Sequence, residues 1–301
     1  MPMRIMILGA EGQVGSELTQ QLTFLDKILA ISRSTLDITN YQSVKKAIDI
    51  FKPDIVINAA AYTSVDNAES EVKEAFATNS KAVGNLATIA KEKNFWLIHY
   101  STDYVFDGKK NTSYLETDKC FPINVYGQSK LSGEMAISNS GCNHLIFRTS
   151  WVISKNRENF VRKILQLGKE KKTLKVISDQ EGVPTSSELI AKVTIDALRE
   201  IKKGMPWPVG TYHLVPNGVS NWHQIAQTLI SYATKNNFPL KASINDIKKI
   251  TSDQYIAKAK RPLNSRLNNS KLSKHISFEL PDWKDDFLGV AEKIIEELDC
   301  L

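Results

Sequence analysis

Tyr126 and Lys130 lie one helical turn apart in the stretch Tyr126-Gly127-Gln128-Ser129-Lys130, which puts a phenol and an ammonium on one helix face. A phenol with an ordinary pKa of about 10 gives up its proton slowly near neutrality, and a neighbouring cation stabilises the phenolate and lowers that value. A pair tuned in this way suits general-acid catalysis, which a ketone needs as it receives a hydride. By itself Tyr-x-x-x-Lys is a common surface pattern, so its place in the chain matters. Ser101-Thr102-Asp103-Tyr104 precedes it and follows an apolar run that reads as a strand. Open parallel sheets hold their ligands at the carboxyl ends of strands, and Thr102 there is a candidate hydroxyl to share a substrate carbonyl with Tyr126.

A second cluster bears on phosphate chemistry. Gly9-Ala10-Glu11-Gly12-Gln13-Val14-Gly15 follows the first apolar run and opens a helical pattern. Glycines in this position let main-chain N–H groups approach a pyrophosphate at a helix N-terminus. The spacing is Gly-x-x-Gly-x-x-Gly, with Gly9, Gly12 and Gly15 as the turn. Where an acidic residue would bond the ribose hydroxyls of NAD stands Ser32-Arg33, and a guanidinium there favours a 2′-phosphate. NADPH is the expected cofactor, with NADH as the alternative.

Elements must hold these groups together. Apolar runs over 4–8, 28–31, 55–58, 96–100 and 144–148 read as strands buried on both faces. Helical patterns over 14–24, 41–51, 71–94 and 126–138 lie between them, with Thr39 or Asn40 as a cap for the second. The alternation predicts an α/β fold: a doubly wound parallel sheet of Rossmann type with a second, smaller α/β substrate domain. After Trp151 the rhythm changes to a helix over 160–170, a strand over 175–178, a helix capped by Ser186 or Ser187, a strand over 210–215 and a helix from Trp222. The expected division is 1–152 plus 185–215 for the dinucleotide and 153–184 plus 216–301 for the substrate.

Composition excludes several classes. The chain has 301 residues, 42% of them hydrophobic and 24% charged, enough to build a sizeable core. The net charge of +6 is spread among interspersed acids without a basic stripe, so no nucleic-acid partner is expected. No apolar run approaches membrane-spanning length, and no membrane association is expected. Cys120, Cys142 and Cys300 form no Cys-x-x-Cys pair and are expected as free thiols in the cytoplasm. His99, His144, His213, His223 and His275 share no ligand spacing, and structural roles are expected for them.

Taken together these stretches resemble the extended short-chain dehydrogenase/reductase family, nearly end to end. The likeness also runs through Asn58-Ala59-Ala60-Ala61-Tyr62-Thr63, Phe147-Arg148-Thr149-Ser150-Trp151, Asp179-Gln180-Glu181-Gly182-Val183-Pro184-Thr185 and Arg261-Pro262-Leu263-Asn264-Ser265-Arg266-Leu267. The resemblance implies NADPH-dependent reduction of the C4 ketone of a dTDP-linked 6-deoxysugar, with dTDP-4-dehydro-L-rhamnose the expected substrate. It implies that Tyr126 is the proton donor, that Lys130 binds the nicotinamide ribose, and that Thr102 orients the ketone. Gln13, Val14, Ala61, Tyr62 and Thr63 would line the cofactor cleft, and Asp37 and Ile38 would border the adenine. Asp103, Tyr104 and Trp151 would meet the sugar nucleotide, and Arg261 its diphosphate. Some relatives form a homodimer bridged by a divalent cation such as Mg2+, and Glu17, Glu188 and Glu296 are the matching carboxylates. Two alternatives stay open: a reductase of another dTDP-4-keto-6-deoxysugar, and a non-catalytic regulatory subunit of the same fold.

Overall fold

Short runs of β-branched and aliphatic residues make the centre of the molecule, because strands covered by helices on both faces must be apolar throughout. In the computed structural model, which describes residues 2–22 and 27–299, six such strands form one sheet. They are β1 (Arg4–Leu8), β2 (Lys27–Ile31), β3 (Ile55–Asn58), β4 (Trp96–Thr102), β5 (His144–Thr149) and β6 (Gly210–His213), and every pairing is parallel. The order across the sheet is β6-β5-β4-β3-β1-β2. The chain therefore winds outward from β1 in both directions, and a crevice opens at the carboxyl ends of β1 and β3 where the winding reverses.

Helices cover both faces. On one side Leu18 and Leu22 of α1 (Gln13–Leu22) and Ile190 and Val193 of the helix Ser187–Lys202 pack on Ile5, Ile57 and Phe147. On the other, Val44 and Ile48 of α2 (Tyr41–Phe51) and Leu86 and Ala90 of α3 (Ala82–Lys93) pack on Met6, Val56 and Ile146. The α2 cap is Asn40, whose side chain accepts from the Ser43 amide, and Ser186 caps its helix through the Leu189 amide. The helix read over 14–24 is seen to Leu22, and its last two positions lie outside the described residues. The strand read over 175–178 is Leu174–Ile177, and that over 210–215 ends at His213.

One expected helix carries an irregular turn. The helix expected over 71–94 runs over 72–93, with a π-helical turn at Ala77–Lys81 between Val72–Phe76 and α3. The cause lies in Asn79, whose buried amide bonds both the N–H and the C=O of Tyr62 at 2.8 and 3.0 Å. These bonds, and a third to Ser129 at 3.0 Å, outweigh regular helical geometry and tie the 59–63 loop to the helix carrying Tyr126.

A second apolar core lies apart from the sheet. The helices Phe160–Glu170, Trp222–Lys235 and Trp283–Asp299 close around two paired parallel strands, Leu174–Ile177 and Ile247–Ile250. The segment after Ala259 returns to the sheet: Asn124 donates to the Lys260 carbonyl at 2.7 Å, and Arg261 pairs with Asp66 at 2.9 Å. No helix among the described residues is long and apolar enough to cross a membrane.

Candidate active site

The glycine turn is built by close approach. Gly9 has φ +79°, and a Cβ there would lie 2.6 Å from the Ala60 nitrogen. A Cβ on Gly15 would lie 2.1 Å from the Gly9 carbonyl, so α1 starts against the turn itself. The Gly12 amide donates back to the Gly9 carbonyl at 3.0 Å. One lobe of the cleft runs from Gly9 and Gly12 past Ala60 and Tyr62 to Arg33, Asp37 and Ile38. The other runs from Gln13, Val14 and Thr63 to Thr102, Asp103, Tyr104, Tyr126, Lys130 and Trp151. Gly12, Ala59, Ala61 and Arg157 line both.

The fit to a dinucleotide rests on this shape and on unanswered polar atoms. The turn leaves no room for side chains, and the buried Ser101 and Thr149 hydroxyls face the second lobe without hydrogen-bond partners among the described residues. Of the pair at the end of β2, exposed Arg33 lines the first lobe, whereas Ser32 directs its hydroxyl to Ser34 and Thr35 within the turn. Asp37 is held below its ordinary value by Thr39, and nearby Arg33 adds to the effect.

Tyr126 sits in the first turn of α4 (Val125–Ser140), capped by Asn124, and lines the second lobe with Thr102. A Cβ on Gly127 would meet the Tyr104 carbonyl at 2.1 Å, which is how the helix comes this near the end of β4. The Thr102 hydroxyl donates to Asp103 at 3.0 Å and accepts from the Tyr104 amide at 3.1 Å. Lys130 is buried and donates to the Tyr100 carbonyl at 2.6 Å, beside His99 Nε2 at 3.2 Å.

Electrostatics differ from expectation. Burial pushes the Tyr126 phenol well above its ordinary value, and the Asp103 carboxylate adds to the rise while the nearby Thr102 hydroxyl opposes it. The Lys130 ammonium points to Tyr100 and does not offset this. Burial brings Lys130 itself down to about 8, with Glu134 opposing. Burial also raises Asp103 from 3.8 to about 6, with the nearby Ser265 and Thr102 hydroxyls opposing. Its folded-state value is thus above the unfolded one, so its contribution to stability is full below about pH 4 and lost as pH rises through 6. Asp103→Asn is expected to be more stable than the parent by about 1–3 kcal/mol above pH 6, and equal to it below pH 4. Melting temperatures across that range check this, and a difference constant with pH would contradict it.

Trp151 and Arg261, implied by the resemblance, are joined by Trp222 and Arg157, which the sequence did not reveal. Trp151 has φ +45° and stacks on Trp222 with ring centroids 4.0 Å apart, so both indoles wall the second lobe. Arg157 reaches over the glycine turn and donates to the Glu11 carbonyl at 2.9 Å. Arg261 lies beside Tyr104, with one guanidinium nitrogen on Asp66 and another, Nη1, buried without a partner. Of the three glutamates matched to a bridging cation, Glu188 pairs with Lys293 at 2.6 Å, Glu17 accepts from Gln21, and Glu296 is exposed. Among the described residues no group of three or more potential ligands converges.

Comparison with known proteins agrees with this arrangement. A family model described as the RmlD substrate binding domain matches residues 3–296. The dTDP-4-dehydrorhamnose reductase of Shigella flexneri is 41% identical over 298 residues, 98% of each chain. That of Burkholderia thailandensis is 40% identical over 288 residues, 94% of this chain and 96% of its own. The crystal structure of the Bacillus anthracis dTDP-4-dehydrorhamnose reductase in complex with NADP superimposes with a TM-score of 0.87 at 32% identity, covering 96% of this chain and 99% of that one. The glycine turn, the Tyr126–Lys130 helix and this end-to-end likeness place the chain in the dTDP-4-dehydrorhamnose reductase family.

Proposed function

We propose that the protein reduces the C4 ketone of dTDP-4-dehydro-L-rhamnose to dTDP-L-rhamnose, with NADPH as the reductant. The observation that carries this reading is the meeting of Tyr126, Thr102 and Lys130 in a cleft continuous with the glycine turn. NADPH, when bound, supplies the hydride. The chain's own groups do the rest. Tyr126 and Thr102 offer their hydroxyls to the ketone oxygen, and Tyr126 releases its proton as that oxygen becomes an alkoxide. Lys130, anchored on the Tyr100 carbonyl, stands one helical turn from Tyr126 to bond the nicotinamide ribose. Trp151 and Trp222 offer an apolar wall that excludes water and orients the sugar nucleotide, and the Tyr104–Arg261 edge offers a cation to its diphosphate.

The two apolar cores support a cofactor part over 1–152 plus 185–215 and a sugar-nucleotide part over 153–184 and the helices from Trp222 and Trp283, but Leu272 and Leu280 pack in the sheet core and so belong with the cofactor part. Free thiols at Cys120 and Cys142 suit the reducing cytoplasm.

The test is NADPH oxidation by the purified protein with and without the keto sugar, with the product identified. Oxidation dependent on the sugar and yielding the rhamnose configuration is expected. A C4 epimer as product would transfer the protein to another deoxysugar, and no oxidation would leave a binding role. Arg33 gives a further expectation. Arg33→Ala should lower kcat/KM for NADPH about 10- to 100-fold, the worth of a charged hydrogen bond, and change that for NADH little. Equal losses with both cofactors would remove Arg33 from the selection.

A further inference from the structure

The lysine beside Tyr126 ends a chain of hydrogen bonds whose direction is fixed at its far end. The register of β3 against β4 places Asn58 opposite His99. The Ala60 amide donates to Asn58 Oδ1 at 3.2 Å, which turns the Asn58 NH2 toward His99 Nδ1, also at 3.2 Å. An amide N–H has no alternative but to donate, so the Asn58 orientation follows from its neighbour. His99 Nδ1 must then accept, and a neutral imidazole that accepts at Nδ1 carries its proton on Nε2. That N–H faces Lys130 Nζ at 3.2 Å. An ammonium there would set two donors against each other; an amine accepts from His99 and still donates to the Tyr100 carbonyl.

We propose that His99 is a positioning residue for Lys130: through Asn58 and the Ala60 amide it presents an N–H that favours the neutral amine. Protonating Lys130 then requires Asn58 to turn and release Ala60, which lines the cofactor cleft, so the lysine's charge is linked to the loop that the dinucleotide contacts. His99 is fully buried and held neutral by burial, with the charge of Lys130 adding to the effect, so it cannot relieve the conflict by taking a proton itself.

The other charged and titratable groups around Lys130 are few. On its own helix are Tyr126 and Glu134, and Glu134 is held by Arg148 of β5 at 2.6 Å; Asp103 follows β4. Glu134 favours the ammonium and burial the amine, which leaves the His99 contact able to tip the balance. A lysine so poised alternates between the two forms around neutral pH.

The inference rests on the catalytic reading of Tyr126 and Lys130, so its test has an arm independent of turnover. Long-range proton–nitrogen NMR of 15N-histidine-labelled protein reads the tautomer of each ring, with the His99 signals identified by their loss in His99→Gln. The Nε2–H form is expected at pH 7, and the Nδ1–H form would overturn the proposal. The second arm is the pH profile of kcat/KM. In His99→Asn, too short to reach Lys130, the basic limb is expected to move up by about one pH unit. In His99→Gln, whose amide can still donate, it should stay in place. A loss of rate equal at every pH, with the limb unmoved, would reduce His99 to a packing role. If the unaltered protein did not turn over the keto sugar at all, the proposed reaction would fail while the tautomer result stood.

Discussion

Tyr126→Phe is expected to lower kcat by about 10²- to 10⁴-fold while leaving the Kd for NADPH within a factor of a few. In the proposed reaction the phenol is the proton donor, and its ring would remain in place, since Tyr126 packs edge-on against Tyr104 at 5.7 Å between centroids. Its raised pKa keeps it protonated throughout the working pH range, so the loss should be nearly uniform below pH 8. Thr102 cannot replace it, because its proton is engaged by Asp103 in the resting site. Turnover within tenfold of the parent would remove Tyr126 from the mechanism. Parallel losses in turnover and NADPH affinity would point instead to a damaged cleft.

Gly15→Ala should abolish productive cofactor binding by a different route. The added methyl would lie 2.1 Å from the Gly9 carbonyl and 2.9 Å from Ala10 Cα, both backbone atoms that no rotamer can clear. Either α1 or the turn must shift, at a cost of about 1–3 kcal/mol in stability. The same shift moves the N–H groups that would meet the pyrophosphate, so the Kd for NADPH should rise at least about tenfold. Gly289→Ala is the control, because nothing lies within 4 Å of its added methyl. It should leave binding unchanged and stabilise its helix by up to about 1 kcal/mol. Calorimetric titration with NADPH and thermal melting of both variants separate the two effects. An unaltered Kd in Gly15→Ala would mean that the turn does not cradle the dinucleotide.

Much of this architecture is written locally. The glycine turn, the β1 run before it and the helix after it are contiguous, so their joint meaning survives without tertiary knowledge. Tyr126 and Lys130 are legible for the same reason, since a helix carries both. What spacing could not give is the surroundings of each group. Lys130 was expected to lower the phenol's pKa, but its side chain reaches to the Tyr100 carbonyl and burial of Tyr126 prevails. His99 read as an ordinary buried histidine, because its partners Asn58 and Lys130 are 41 and 31 residues away and meet it only through strand register. The π-helical turn was hidden in an unbroken helical pattern, since its cause is the Asn79 contact with Tyr62, 17 residues earlier. Trp151 and Arg261 are named by the resemblance alone, and their partners Trp222 and Asp66 are not, because the Trp151–Trp222 stack and the Arg261–Asp66 pair join residues far apart in the chain.

The account depends on hydride reaching C4 of the sugar in the cleft that holds Tyr126. The most direct measurement is a turnover with NADPH deuterated at the reactive C4 position of the nicotinamide and dTDP-4-dehydro-L-rhamnose, with the product read by proton NMR. Deuterium at C4 of dTDP-L-rhamnose, formed by the parent and nearly absent with Tyr126→Phe, is the expected result. Product without deuterium at C4, or labelled product at an undiminished rate from Tyr126→Phe, would contradict the mechanism.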